Sequence, residues 1–323
     1  MSLTIWCNGE FDPEATRRLR EGTAGHRLIA AAGGAVSVLA PPVDDPALAE
    51  AEVAFGQPPA ASCLRHAGLR WVHVSTAGYT RYDTPEFRDA FRARGSRLTT
   101  SSGVFADPVA QHLLAMILAV GRELLPSYRE QLGGRRWPQS ERRYASTRLT
   151  GQTVLMLGFG AIGRRFAQLI APFECRLYAL RRQTRSVLGV RIVAEEDLTR
   201  ILPLADHVVN LLPENEATRN WMNARRFACL RPGTRFYNVG RGTTVDQPAL
   251  QEALESGRLG AAYLDVTDPE PLPPGHALWT APNCYLTPHT AGGRRDQDRA
   301  IVEHFLGNLA AFERGGELAD QVI

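Results

Sequence analysis

The sequence predicts an α/β protein of two domains with a cleft between them, the larger domain a doubly wound parallel sheet. Three observations lead there. A glycine loop at residues 158–163 joins a continuously apolar run, Val154 to Leu157, to the start of a helix. From Thr153 onward, strand and helix patterns alternate regularly. After that rhythm stops at Pro288-His289-Thr290, a final helix over residues 293–313 presents an apolar face, and the first part of the chain is its expected partner. The expected division is a discontinuous domain of residues 1–100 with 291–323, and a dinucleotide-binding domain of residues 101–290.

The chain has 323 residues, enough for roughly two domains at ~150 residues each. With 44% hydrophobic and 22% charged residues it reads as an ordinary soluble globular protein. A net charge of +3 gives no reason to expect a nucleic-acid partner, and all 37 basic residues are Arg, so no single Arg is surprising. The five cysteines are scattered without a CxxC, which predicts neither a metal site nor a disulfide framework but a reducing cytoplasm. The N-terminus lacks a basic segment followed by an apolar one, so no signal peptide is expected. The most apolar stretch, residues 113–120, is too short for a membrane span.

In order along the chain, residues 3–8 read as a strand, and Asp12-Pro13-Glu14 opens a helix with Asp12 as N-cap and Pro13 at N1. Apolar runs at 27–31, 51–55 and 69–74 alternate with helical patterns and predict a smaller α/β domain. The third run ends in Val74-Ser75-Thr76-Ala77-Gly78. A glycine just past a strand's carboxyl end is where open sheets bind ligands, although a plain turn glycine reads the same way. Asp107-Pro108 predicts the start of a helix over residues 109–125, apolar around nearly its whole circumference and therefore buried in a core or an interface. Residues 126–150 read as a polar excursion. Strands are expected at 153–158, 176–181, 207–212, 235–240, 261–266 and 284–287, with Asp246 capping the helix before the fifth.

Within the glycine loop each residue has a physical task. Gly158 permits the sharp turn, Gly160 lets a pyrophosphate approach the backbone, and Gly163 allows close packing of helix on strand. The N–H groups opening the helix then face an anion. Farther on, Arg241, Glu270 and His289 each follow a predicted strand, so a parallel sheet would bring them to one edge. An Arg fork suits a carboxylate, and a His can supply and remove the proton that accompanies hydride transfer to a carbonyl. A Glu beside that His favours the imidazolium form. Singly each has a bland reading; together, at strand ends, they read as a catalytic set.

These stretches resemble the D-isomer-specific 2-hydroxyacid dehydrogenase family, of the glyoxylate/hydroxypyruvate reductase-like, NADP-preferring type. The resemblance runs from about residue 69 to residue 293 and rests on 104–112, Leu211-Leu212-Pro213, Asn238-Val239-Gly240-Arg241-Gly242, Asp265-Val266, Glu270-Pro271-Leu272-Pro273 and Pro288-His289. It implies two flavodoxin-like or Rossmann-like domains and an NAD(P)-dependent oxidoreductase that interconverts 2-keto and D-2-hydroxy acids. By the same resemblance Arg241 binds the substrate carboxylate and carbonyl oxygen, His289 is the acid/base, and Glu270 supports it. The backbone of Ala77 and Gly78 forms a second carboxylate clamp. Asp265 holds the nicotinamide carboxamide. Gly158, Phe159, Gly160, Ala161, Ile162 and Gly163, with Leu211, Leu212, Pro213, Val239 and Gly240, line the cofactor. A homodimer is usual in the family, and no metal, nucleic acid or membrane partner is implied.

One departure bears on the cofactor. NAD-preferring members carry an acid after the second strand of this domain, to hold the ribose 2′-OH. Here the sequence reads Leu180-Arg181-Arg182-Gln183, without one. Arg181 and Arg182 would attract a 2′-phosphate, so NADP is expected over NAD, with NAD use possible. Within the family, Glu270 argues against the formate dehydrogenases, which have Gln there. The alternative from another class is a non-enzymatic NAD(P)-sensing protein, like the corepressors that share this fold.

Overall fold

Among the described residues, twelve strands form two wholly parallel sheets, one of five strands and one of seven. The structure is a computed structural model and describes residues 2–31, 43–181 and 189–323. The chain divides into one unit of Met1–Phe105 with Gly293–Ile323 and a second of Ala106–Gly292.

The first unit contains β1 (Thr4–Cys7), α1 (Pro13–Gly22), β2 (Arg27–Ala30), β3 (Val53–Gly56), α2 (Ala60–Arg65), β4 (Trp71–Val74), α3 (Pro85–Ala93) and β5 (Arg97–Thr99). Its strand order, β2-β1-β3-β4-β5, is the flavodoxin-like one. The Asp12 side chain accepts from Ala15 N at 2.8 Å, which satisfies one of the orphan donors of α1. β5 carries only Arg-Leu-Thr, too short for the apolar pattern to mark it.

α4 (Ser102–Gly121) begins at the end of this unit and runs on into the second. It starts five residues before the expected Asp107-Pro108 boundary. Pro108 lies inside it, where it removes one backbone hydrogen bond without stopping the helix. The helix also ends earlier than expected: Glu123 adopts φ +59, and α5 (Leu124–Leu132) and α6 (Gln139–Ala145) follow where a polar excursion was expected.

The second unit continues with β6 (Thr153–Leu157), α7 (Ala161–Ile170), β7 (Arg176–Leu180), β8 (Arg191–Val193), α8 (Leu198–Ile201), β9 (His207–Asn210), α9 (Ala224–Ala228), β10 (Thr234–Asn238), α10 (Gln247–Glu255), β11 (Leu259–Leu264) and β12 (Cys284–Leu286). The order β12-β11-β10-β9-β6-β7-β8 is doubly wound, with its switch between β6 and β9. Ligands of such sheets bind outside the strand carboxyl ends at that switch. The sheet is buried on both faces by two apolar clusters, one around Leu155, Phe227 and Phe236, the other around Met156, Phe166 and Ile117. That is why β6 reads Val-Leu-Met-Leu without alternation.

α11 (Gln297–Glu313) returns to the first unit, where Ile301, Val302, Phe305 and Leu309 cover the five-stranded sheet. Phe305 stacks on Phe55 at 4.2 Å between centroids and on Trp71 at 5.3 Å.

Candidate active site

The glycine loop sits at the β6 carboxyl end, beside the switch point. Gly158 adopts φ +99, and a Cβ there would lie 3.1 Å from the Leu211 carbonyl oxygen. A Cβ on Gly163 would meet the Phe159 ring at 3.1 Å, so this glycine lets α7 approach β6. Gly160 differs: a Cβ there would project into open space. That opening lies over the first turn of α7, whose N-cap Gly160 offers no side chain to the leading N–H groups. Free N–H groups, a helix dipole and an uncovered approach fit a pyrophosphate.

Ala161 and Ile162 begin α7 half-buried, whereas the Phe159 ring is only 4% exposed and packs in the core, so its main chain alone faces the loop. Leu211, Leu212 and Pro213 leave β9 on the other side of the switch, and Val239 and Gly240 leave β10. A Cβ on Gly240 would come within 2.8 Å of the Leu212 carbonyl oxygen, so these two turns are in contact. Arg181 follows β7 and is half-buried, its N–H donating to Val193 O at 3.4 Å. Arg182 lies outside the described residues.

Arg241 is held from beneath by buried amides. Asn210 Nδ2 donates to Asn238 Oδ1 at 3.0 Å and to Thr244 Oγ1 at 2.6 Å. Asn238 Nδ2 and Thr244 Oγ1 both donate to the Arg241 carbonyl, at 3.1 and 2.6 Å. Gly242 is obligatory, since a Cβ there would sit 2.0 Å from the Thr267 main chain. Burial pulls the Arg241 guanidinium below its ordinary value, and the charges of Glu214 and Glu270 act in the opposite direction. An Arg stays protonated in this setting, so the site holds a desolvated cation. Glu214 was not among the residues singled out from sequence. It follows the Leu211-Leu212-Pro213 turn directly, which is the one local sign of its place.

His289 follows β12 at φ +52, a left-handed conformation uncommon outside glycine. Its N–H donates to Asp265 O at 2.9 Å and Thr287 O at 3.0 Å. Its Nδ1 pairs with Glu270 Oε1. A carboxylate only accepts, so Nδ1 carries a proton and Nε2 is the ring atom left for a reacting group. Glu270 therefore orients His289, and its negative charge also acts on Arg241 from farther off. The side chain of His289 is 41% exposed, so it can exchange protons with water.

Asp265, at the end of β11, is 3% exposed. Its Oδ1 accepts from Thr287 Oγ1 at 2.5 Å and Thr290 N at 2.9 Å, and its Oδ2 from Ala291 N at 3.0 Å. The carboxylate thus organises the His289 loop and keeps capacity for one further donor.

In the first unit, Ala77 and Gly78 follow β4 and are half-exposed. Gln57 Nε2 donates to Ser75 Oγ at 3.2 Å and Thr76 Oγ1 at 3.1 Å, and Thr76 Oγ1 donates to Gly78 O at 2.7 Å. The turn is therefore braced from β3, by a Gln that sequence reading did not single out. Among the described residues, the N–H groups of Ala77 and Gly78 donate to no main-chain carbonyl.

A family model described as D-isomer specific 2-hydroxyacid dehydrogenase, NAD binding domain, matches residues 114–291. The chain is 32% identical over 251 residues to glyoxylate/hydroxypyruvate reductase B of Escherichia fergusonii, covering 76% of each. It is 34% identical over 230 residues to the chloroplastic/mitochondrial formate dehydrogenase of Arabidopsis thaliana, covering 70% of this chain and 58% of that enzyme. A solved structure of a D-isomer specific 2-hydroxyacid dehydrogenase from Xanthobacter autotrophicus Py2, in complex with NADPH and MES, superimposes with a TM-score of 0.82. Its identity is 27%, over 100% of this chain and 98% of that one.

Proposed function

Because the chain belongs to the D-isomer-specific 2-hydroxyacid dehydrogenase family, we propose that it works as a 2-keto acid reductase, of glyoxylate, hydroxypyruvate or aryl-pyruvate type, with NADPH as its preferred reductant. The coarse activity, NAD(P)-linked dehydrogenation or reduction of a 2-hydroxy/2-keto acid pair, follows from membership. One observation carries the chemistry of the proposal: the carboxylate of Glu270 is paired with the His289 imidazole.

The Gly158–Gly163 loop would hold a nicotinamide cofactor, which would supply a hydride to the keto carbon. Arg241 holds the substrate carboxylate and polarises the carbonyl oxygen. As that oxygen gains charge, the proton on His289 Nε2 passes to it, leaving neutral imidazole and a 2-hydroxy acid. Glu270, paired with Nδ1, holds the ring with Nε2 towards the substrate, and water restores the proton afterwards. The N–H groups of Ala77 and Gly78 serve as the second carboxylate clamp, and the remaining acceptor capacity of Asp265 suits a carboxamide N–H.

The NADPH preference is supported by Arg181 at the end of β7 and by the absence of an acid there. The NADPH complex of the Xanthobacter relative points the same way. A homodimer is supported by the α5–α6 segment, where Leu132, Trp137 and Tyr144 are 69%, 90% and 91% exposed. A cavity of about 690 Å³ opens between Leu124, Tyr128, Arg136 and Trp137 in the same segment. Cytoplasmic residence fits the cysteines, all free among the described residues.

The deciding experiment is a spectrophotometric panel of glyoxylate, hydroxypyruvate, phenylpyruvate and oxaloacetate with each reduced cofactor. Turnover of at least one acid with higher kcat/KM for NADPH than for NADH is expected, from a species of twice the 35.5 kDa chain mass by light scattering. A higher kcat/KM with NADH overturns the cofactor reading. Tight cofactor binding without turnover on any acid would favour the non-enzymatic sensor.

A further inference from the structure

Away from the reacting groups, a line of polar side chains crosses the interior of the second unit. It begins at His112 on α4, whose Nε2 meets the hydroxyl of Tyr263 on β11. The same hydroxyl meets Thr287 Oγ1, and Thr287 in turn reaches Oδ1 of Asp265 at 2.5 Å. Tyr263 is fully buried and Asp265 nearly so.

The direction of every bond is dictated from the acidic end. A carboxylate only accepts, so the Thr287 hydroxyl gives its one proton to Asp265. Its oxygen must then accept from Tyr263. That uses the phenol proton, so the Tyr263 oxygen accepts from His112, and His112 carries a proton on Nε2. Three side chains thus converge in series on one buried carboxylate. The same carboxylate accepts the N–H groups of Thr290 and Ala291, and the Asp265 carbonyl accepts that of His289. His289 itself sits at φ +52, a conformation that persists where the surroundings over-determine it.

We propose that His112, Tyr263 and Thr287 are positioning residues for His289: they fix the Asp265 carboxylate, and through it the main chain of residues 289–291, in the one geometry that keeps the imidazole on Glu270. The inference rests on the reading of His289 as the proton donor. It also gives α4 a catalytic consequence. The helix opens with residues 102–105, grouped with the first unit, and His112 lies two turns further on. A bland account is available: a buried phenol needs a partner, and Thr287 and His112 supply it. That account predicts lost stability and nothing specific to the rate.

Tyr263→Phe keeps the ring and removes the middle link. Thr287→Val keeps the shape and removes the link to Asp265. His112→Leu removes the outer end, while His112→Gln restores an N–H near the place of Nε2. Each of the first three should lower kcat about 10-fold, since small displacements of a reacting group cost that much or more. The Kd for NADPH, by fluorescence titration, should change by less than kcat does, since the carboxamide is one of many cofactor contacts, and the Tm should stay near that of the parent. His112→Gln should recover most of the rate that His112→Leu loses. Unchanged kcat in all three, or equal losses in His112→Leu and His112→Gln, overturns the proposal, as does a kcat loss that only tracks Tm. His289→Ala serves as the control. If it is inactive while the three variants keep full rates, this inference alone fails; if it is fully active, the reading of His289 fails and its positioning residues fall with it.

Discussion

Arg241 follows β10 and His289 follows β12, two strands along the same sheet edge, yet they are held by opposite means. Arg241 is desolvated, its turn locked by the buried amides of Asn210 and Asn238 and by a glycine with no room for a Cβ. His289 stands open to water in a left-handed turn, and its loop is held by hydrogen bonds to Asp265. The difference follows from their tasks. A charge clamp gains strength as water is excluded, because Coulombic attraction rises as the local dielectric falls. A proton donor must be recharged every turnover and loses that route if it is sealed away.

The sharpest test of this contrast is His289→Ala. It should lower kcat by about 10³-fold with cofactor affinity unchanged. Because the position is open, added imidazole should restore part of the rate; failure of any small base to do so would contradict an exposed donor. Arg241→Ala should have the next largest effect, about 10²-fold in kcat/KM from the loss of charged hydrogen bonds. The loss should fall on KM and kcat together, since Arg241 both binds and polarises. Arg241→Lys should recover only part of it, because an ammonium cannot supply the planar fork. An Arg241→Ala enzyme with unaltered KM for the keto acid would place the carboxylate elsewhere.

The parts legible in the sequence are those with a local cause. Gly158 turns the chain through a positive φ and Gly163 packs on the nearby Phe159 ring, whereas a Cβ on Gly160 would meet no protein atom and its place is read from the motif; Val154 to Leu157 reads as a strand because both its faces are covered. Arg241, Glu270 and His289 were visible because parallel strands deliver their ends to one edge. What escaped was set by distant partners. β8 is Arg-Ile-Val at a sheet margin, with too few residues to show a period. The start of α4 was misplaced because Pro108 resembles an N1 proline, whereas the helix carries it within its second turn. Asp265 looks in sequence like a cofactor ligand, and its commitment to Thr287, Thr290 and Ala291 emerges only when β11 and β12 lie side by side. The partnership of His112 with Tyr263 spans 151 residues, and no local pattern foretells it.

Glu270 joins the two halves of the comparison, so its replacement separates them. Glu270→Gln keeps the length and an acceptor for His289 Nδ1 but removes the charge. For His289, the ring loses the anion that its Nδ1–H donates to. A Gln amide can turn either its oxygen or its NH2 towards Nδ1, so the ring is held less firmly for proton transfer and kcat should fall. For Arg241, the same change removes one of two negative charges acting on the guanidinium, with Glu214 left. An anionic substrate then meets less repulsion, so KM for the keto acid should hold steady or fall while kcat at neutral pH drops. A rise in KM together with an unchanged kcat would mean that Glu270 serves the clamp and not the proton donor. The opposite split, with kcat falling and KM not rising, would assign its main work to His289 and leave Arg241 supported from the buried side alone.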